Sequence, residues 1–223
     1  MKKAVVIVSG GVDSSTLLYK AVRESYEAYA LTFIYGQKHG REIESARKIC
    51  YRLKVNHKVI DLSALSEILS GSALTDSSVD IPEVPADASH YETLKATIVP
   101  NRNSIFLSIA IGYAVSIGAD HVFFGAHHSD RGVYPDCRRE FVQAFENAER
   151  FANDNPGLVI TAPFVDMNKF QIVKLGTELG VPYKETWSCY KGGETHCGVC
   201  SSCRERKRAF NEAGVPDPTE YEK

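Results

Sequence analysis

Six residues near the amino terminus, Ser9-Gly10-Gly11-Val12-Asp13-Ser14, have the types and order needed to hold a phosphate. Gly10 and Gly11 let the main chain approach an oxyanion with no Cβ in the way, and a helix starting here would aim its free N–H groups and positive dipole end at the anion. Ser9, Ser14 and Ser15 add hydroxyl donors. Asp13 is out of place beside phosphates unless a cation such as Mg²⁺ lies between them. The competing reading makes Asp13 or Ser14 a plain N-cap on a glycine-rich turn. A second constellation lies at the other end, where Cys189, Cys197, Cys200 and Cys203 place four thiolates within fifteen residues. Such a set suits Zn²⁺ in a closed tetrahedral site. A CxxC redox pair would leave two cysteines without a role, whereas an iron–sulfur cluster also accepts four thiolates. His196 could stand in for one ligand, but Cys197 beside it makes this unnecessary, and Cys50 reads as core.

The elements that must position these groups follow a simple alternation. Ala4 to Val8 is a β-branched run that ends at the glycine pair, and Ser14 to Arg23 continues at helical spacing. Tyr29 to Tyr35 reads as a strand, Glu42 to Leu53 as a helix and Lys58 to Leu62 as a third strand. Later come a helix over Ser104 to Ile117, a strand over His121 to Gly125, a helix over Arg139 to Phe151, a strand over Val159 to Ala162 and a helix over Lys169 to Leu179. This order predicts an α/β fold: a doubly wound, five-stranded parallel sheet with right-handed crossovers and a small C-terminal zinc-binding helical segment. The expected division is 1–183 for the nucleotide-binding part and 184–223 for the cysteine segment. Residues 63–101 break the pattern with Pro82, Pro85 and Pro100, and are expected to be a substrate loop or lid, or else a poorly ordered insertion. The tail beyond Pro216 is expected to fray.

Bulk properties narrow the function. The chain has 223 residues with a formal net charge of −2, so no global field attracts a polyanion; a small-molecule substrate is expected, and nucleic acid is not. Arg204, Arg206, Lys207 and Arg208 form a local basic run that reads as a solvated helix face. The apolar runs are far shorter than the roughly 20 residues of a spanning helix. No secretory signal is recognisable either, so no membrane partner and a cytoplasmic location are expected. A homodimer stays open.

Three polar segments fall after strands or in loops: Tyr35-Gly36-Gln37-Lys38-His39, Val99-Pro100-Asn101-Arg102-Asn103, and Gly125 to Asp130 continuing to Tyr134-Pro135-Asp136-Cys137-Arg138. In open parallel sheets ligands bind outside the carboxyl ends of strands, so these segments point toward one crevice. No GxxxxGK[ST] sequence occurs, and without its lysine the loop suits gripping a departing pyrophosphate better than transferring a γ-phosphoryl group.

The Ser9–Ser14 loop resembles the SGGxDS motif of the PP-loop ATP pyrophosphatases. That resemblance implies an adenine nucleotide alpha hydrolase-like fold, cleavage of ATP between the α and β phosphates, and attachment of AMP to a carboxylate or carbonyl oxygen. It also implies an ATP-binding stretch of Val8, Ser9, Gly10, Gly11, Val12, Asp13, Ser14, Ser15, Thr16, Leu17 and Leu18. SGGVDS, YGQKH, VPNRN, GAHHSDRGVYPDCR and the terminal cysteine pattern, in that order, are together similar to the 7-cyano-7-deazaguanine synthase family over nearly the whole chain. This chain departs at Asn101, where the family often shows glycine, and at Lys38, where it often shows arginine. The resemblance implies that 7-carboxy-7-deazaguanine, ammonia and ATP give the nitrile, in the biosynthesis of queuosine-type nucleosides.

Asp13, Ser14, Arg102 and His39 are the candidate catalytic residues, and Arg102, Asn103, Asp136 and Arg138 the candidate substrate-binding residues. Arg102 offers a fixed fork for a carboxylate or α-phosphate, and Asp136 an acceptor for the N–H edge of the ring. His39, His127 or His128 could manage the ammonium proton, and the sequence does not rank them. Other PP-loop chemistries, such as a tRNA thiolase or an amidotransferase synthetase domain, are the nearest rivals, and a nucleotide sensor without chemistry is the more distant one.

Overall fold

The computed structural model describes residues 1–69, 71–76, 78–82 and 95–222. Five parallel strands form one sheet in the order β3-β2-β1-β4-β5. They are β1 (Lys3–Ile7), β2 (Glu27–Ile34), β3 (Asn56–Asp61), β4 (His121–Phe123) and β5 (Val159–Thr161). The chain first winds outward from β1 through α1 (Val12–Arg23) and α2 (Arg41–Arg52), then returns to lay β4 on the other side of β1. Strand order therefore reverses between β1 and β4, which opens a crevice at their carboxyl ends.

Both faces of β1 are buried, as its unbroken apolar run requires. Ala4, Val6 and Val8 join Leu17, Leu18 and Ala21 of α1, Ala46 and Ile49 of α2, and Ile172 of α5 (Lys169–Glu178). Cys50 is buried in the same cluster. On the opposite face Val5 joins Phe106, Leu107, Ala110 and Ile111 of α3 (Arg102–Ile117) and Val142 of α4 (Arg139–Ala152). The sheet is thus covered on both sides, as the alternation predicts, with each boundary within a few residues of its expected place.

The described parts of 63–101 fold back toward the crevice. Ser63–Glu67 forms a short 3₁₀ turn, Ala73 N–H donates to the Ala96 carbonyl at 2.7 Å, and Ser72, Leu74, Thr97 and Val99 are buried. The expectation of a lid falls partly on residues 70, 77 and 83–94, Pro85 among them, which lie outside the described residues.

Two expectations for the C-terminal region are corrected. The tail beyond Pro216 is docked: His196 N–H donates to Glu220 O at 3.3 Å, Glu222 N–H donates to His196 O at 2.9 Å, and Tyr221 O–H donates to Asp217 Oδ2 at 2.5 Å. The basic run is not one solvated face either. It lies on α6 (Ser201–Ala213), and Arg206 is fully buried there, donating to Asp217 Oδ1 at 3.2 Å, Thr186 Oγ1 at 2.8 Å and the Tyr183 carbonyl at 3.0 Å, over the Phe210 ring. A buried guanidinium needs its donors matched, and this one is matched by the tail and by the strap before the cysteines. Arg206→Ala would leave Asp217 partly buried without its cation, and a loss of about 3–5 kcal/mol in denaturant-measured stability is expected.

Candidate active site

The crevice at the reversal of strand order holds a cavity of about 260 Å³, near the small end of the roughly 300–1,000 Å³ found for small-molecule sites. Its floor is the loop between β1 and α1. Gly11 is the N-cap of α1 and no side chain caps the helix, so the reading of Asp13 or Ser14 as a plain N-cap fails. The Ser14 hydroxyl instead turns back on the loop, accepting from Ser9 N–H at 3.1 Å and Gly10 N–H at 3.2 Å. Gly10 has φ +89°, a conformation open to glycine, and lies against the backbone of α2. The uncapped first turn leaves backbone donors available for an anion.

Of the predicted nucleotide-binding stretch, Val8, Ser9, Gly11, Val12, Asp13 and Ser14 line the cavity. Ser15, Thr16, Leu17 and Leu18 are fully buried on the helix instead. Leu17 and Leu18 sit in the core, and Thr16 bonds the Tyr183 hydroxyl at 2.9 Å, which ties α1 to the strap before the cysteines.

Asp13 anchors a charged group on the β4 side. Its Oδ2 lies 3.1 Å from Lys169 Nζ and 3.7 Å from His127 Nε2, and its buried Oδ1 has no hydrogen-bond partner. Lys169 also reaches Glu205 at 2.7 Å, and His127 lies 3.3 Å from Asp130. Burial opposes the Lys169 charge, but Asp13, Glu205 and Asp130 outweigh it and hold the ammonium above its usual range. Burial raises the Asp130 pKa against the pull of His127. The orphaned Oδ1 is the feature expected of a carboxylate that shares a hard cation with phosphate oxygens, so Asp13 fits Mg²⁺. Lys169 and Glu205 escape sequence reading because each comes from a distant helix and neither belongs to a motif.

On the β2 side stand Arg102 and Glu42. Arg102 is the first residue of α3 and lies over the rings of Tyr35 at 5.9 Å and Tyr134 at 6.0 Å. A cation at a helix amino terminus opposes the dipole, an arrangement that favours an incoming anion. Asn101, the N-cap before it, has φ 57°. Asparagine is among the few residues that visit the left-handed region, so it suits this position. Lys38, the other departure, donates to the Val79 carbonyl at 2.6 Å.

Asn103 lines the cavity, but Asp136 and Arg138 do not. Asp136 caps α3, accepting from Asn103 N–H at 3.2 Å, and exposed Arg138 donates to the Arg131 carbonyl at 3.1 Å. Among the three histidines, His39 and His127 reach the cavity and exposed His128 does not. Burial lowers the His39 pKa against the pull of Cys189. Glu42, another residue the sequence does not single out, lines the cavity from the first turn of α2, where burial pushes its pKa up to about 7 against the pull of Arg102.

The cysteine segment forms the remaining wall. The sulfur atoms of Cys189, Cys197, Cys200 and Cys203 all lie within 4.8 Å of one another and are buried. Tetrahedral Zn²⁺ with bonds of about 2.3 Å needs sulfurs about 3.8 Å apart, so the set fits the metal. Cys197 N–H donates to Cys189 Sγ and Cys200 N–H to Cys197 Sγ, each at 3.4 Å, as suits thiolate acceptors. Burial lowers the His196 pKa to about 4; its neutral ring accepts from Ser188 N–H at 3.1 Å and stacks on Trp187 at 4.2 Å, outside the sulfur set. Trp187, Ser188 and Tyr190 flank Cys189 and line the cavity, and Trp187 N–H donates to the Gly10 carbonyl at 3.0 Å. The cysteine segment is thereby fastened to the Ser9–Ser14 loop. Among the described residues, no helix is long and apolar enough to cross a membrane.

Comparisons with known proteins agree with this fold. In fold, the chain is similar to NMN synthetase from Francisella tularensis, with a TM-score of 0.54 at 16% identity over 96% of this chain and 78% of that one. It is similar also to a predicted subunit of tRNA methyltransferase from Methanocaldococcus jannaschii, with a TM-score of 0.52 at 17% identity over 80% and 76%. In sequence, it is 50% identical to the 7-cyano-7-deazaguanine synthase of Caldicellulosiruptor bescii over 99% of this chain and 97% of that protein. It is 52% identical to the 7-cyano-7-deazaguanine synthase of Archaeoglobus fulgidus over 97% and 89%. The family profile described as "Queuosine biosynthesis protein QueC" matches residues 3–214. With that profile spanning the sheet, the phosphate loop and the cysteine cluster alike, this chain belongs to the QueC family of queuosine biosynthesis proteins.

Proposed function

We propose that this chain converts 7-carboxy-7-deazaguanine and ammonia into 7-cyano-7-deazaguanine, using ATP to remove both carboxylate oxygens. The observation that carries this reading is that the uncapped Ser9–Ser14 loop and the Arg102 guanidinium face one cavity, an anion receptor beside a carboxylate fork.

A carboxylate is a poor electrophile, so each oxygen must become a leaving group. In the first round a carboxylate oxygen attacks the α-phosphorus, the α–β anhydride bond breaks and pyrophosphate departs. Ammonia then adds to the acyl carbon, AMP leaves with that oxygen and a proton is lost, giving the amide. In the second round the amide oxygen takes AMP from another ATP with release of pyrophosphate. The C–O bond then breaks and nitrogen sheds its protons to leave the nitrile.

The N–H groups at the start of α1 and the loop hydroxyls hold the β and γ phosphates, and Lys169, kept cationic by its acidic neighbours, balances the charge of departing pyrophosphate. Asp13 would hold Mg²⁺, which when bound neutralises phosphate charge. Arg102 fixes the substrate carboxylate. His39, whose pKa burial lowers, would accept a proton released on the β2 side. Zn²⁺ on the four cysteines would take no part in bond making; it holds the wall carrying Trp187, Ser188 and Tyr190.

Incubation with ATP, ammonium and 7-carboxy-7-deazaguanine, followed by mass spectrometry, tests the reading. Amide should rise before nitrile, with one AMP and one pyrophosphate formed for each oxygen removed. ADP and orthophosphate as the products would overturn it.

A further inference from the structure

We propose that Glu205 is a positioning residue: its carboxylate holds the Lys169 ammonium beside the Ser9–Ser14 loop, so that the cysteine-bearing helix sets where that charge stands. This deepens the reading above and rests on it.

A lysine ammonium is a point charge on a flexible four-carbon stem, so a single ion pair leaves it free to swing. Two carboxylates on different elements fix it. Lys169 Nζ lies 3.1 Å from Asp13 Oδ2 at the start of α1 and 2.7 Å from Glu205 Oε2 on α6, which holds the charge between the two helices. The side chains are 13% exposed for Lys169, 14% for Glu205 and 21% for Asp13, so solvent screens these pairs little. All three residues line the cavity. A carboxylate in a cavity that receives phosphates repels them, and holding Lys169 in place is the duty that offsets this cost.

The platform under Glu205 is rigid. Glu205 stands on α6 between Cys203 and Arg206, both without solvent exposure. Cys203 belongs to the four-sulfur set, and Arg206 is held by Asp217, Thr186 and the Tyr183 carbonyl. One turn after Glu205, Ala209 joins a buried apolar cluster with Val173, which lies one turn after Lys169 on α5. The packed faces of α5 and α6 therefore end at the cavity with this ion pair. Ser202, three residues before Glu205, lines the cavity from the same face of α6. An exposed ion pair with no such anchorage would hold little.

Pyrophosphate release with ATP, ammonium and 7-carboxy-7-deazaguanine, measured beside melting curves, tests the proposal. Glu205→Gln removes the charge at nearly constant shape and should lower kcat about tenfold to a hundredfold, the worth of one charged hydrogen bond. KM for ammonium and for 7-carboxy-7-deazaguanine should move less than about twofold, and the melting temperature less than about 4 °C. Glu205→Asp keeps the charge on a shorter arm and should recover part of the loss; it also provides the answer if the glutamine variant does not fold. In a Lys169→Met background, adding Glu205→Gln should change the rate less than about twofold, because the group through which Glu205 acts is gone. An unchanged kcat in Glu205→Gln, or the same loss with and without Lys169, would overturn the assignment. Wild-type protein that releases no AMP and pyrophosphate with these substrates would overturn the functional reading itself, and the role of Glu205 with it.

Discussion

Gly10→Ala is expected to lower turnover by more than about a hundredfold, the effect of losing one aligned hydrogen-bond donor to a developing anion. A Cβ built on Gly10 would lie 2.2 Å from the Glu42 carbonyl oxygen and 2.7 Å from the Ala46 nitrogen, both main-chain atoms of α2. Neither can swing aside as a side-chain tip would. The residue also holds φ +89°, which an L side chain adopts at a cost of about 1–2 kcal/mol. The loop must therefore move off α2, and its N–H groups move with it. Gly112→Ala is the control: the position lies on α3 outside the cavity, and the new methyl would meet nothing within 4 Å. Pyrophosphate release by the two variants, beside their melting curves, makes the comparison. Equal activities would show that the position of this loop does not govern turnover.

Cys203→Ser is expected to bring the largest loss of stability. Cys203 lies in the first turn of α6 with no solvent exposure, and the same helix carries Arg206 and the tail that closes on it. Structural zinc sites contribute about 10–16 kcal/mol of apparent binding energy, so losing one ligand of four removes several kcal/mol. At about 2–4 °C per kcal/mol for a chain of this length, a fall in melting temperature of more than about 10 °C follows. Activity should fall as well, because Cys189 sits between residues that line the cavity and Trp187 is bonded to Gly10. Metal analysis by inductively coupled plasma mass spectrometry should show clearly less than one zinc per chain, and proteolysis should begin in the region after Tyr183. A full zinc complement with an unchanged melting curve would show that Cys203 is not a ligand.

Much of this protein is readable along the chain because the relevant physics is local. A glycine pair between a β-branched run and an amphipathic helix specifies a tight turn into an uncapped helix start, since the backbone conformation there depends on a few adjacent residues. The cysteine set is equally legible: its spacing alone brings four thiolates within reach of one ion. Alternation of strands and helices, with both faces of β1 apolar, determined a parallel sheet and hence the end at which ligands gather.

What the chain order did not reveal is which of several like residues is buried, and against what. Glu42 and Glu44 are two acids on one turn, and only packing turns the first into the cavity. Arg206 stands in a basic run with Arg204 and Arg208, yet it alone of those three is fully buried. Asp136, whose near neighbours Tyr134 and Cys137 line the cavity, instead caps α3, accepting from the N–H of Asn103, 33 residues away. Lys169, far along the chain, pairs both with Asp13 and with Glu205 of another helix. Conformation follows from near neighbours, but burial and charge pairing follow from distant ones, and those were decided only when the helices closed over the sheet.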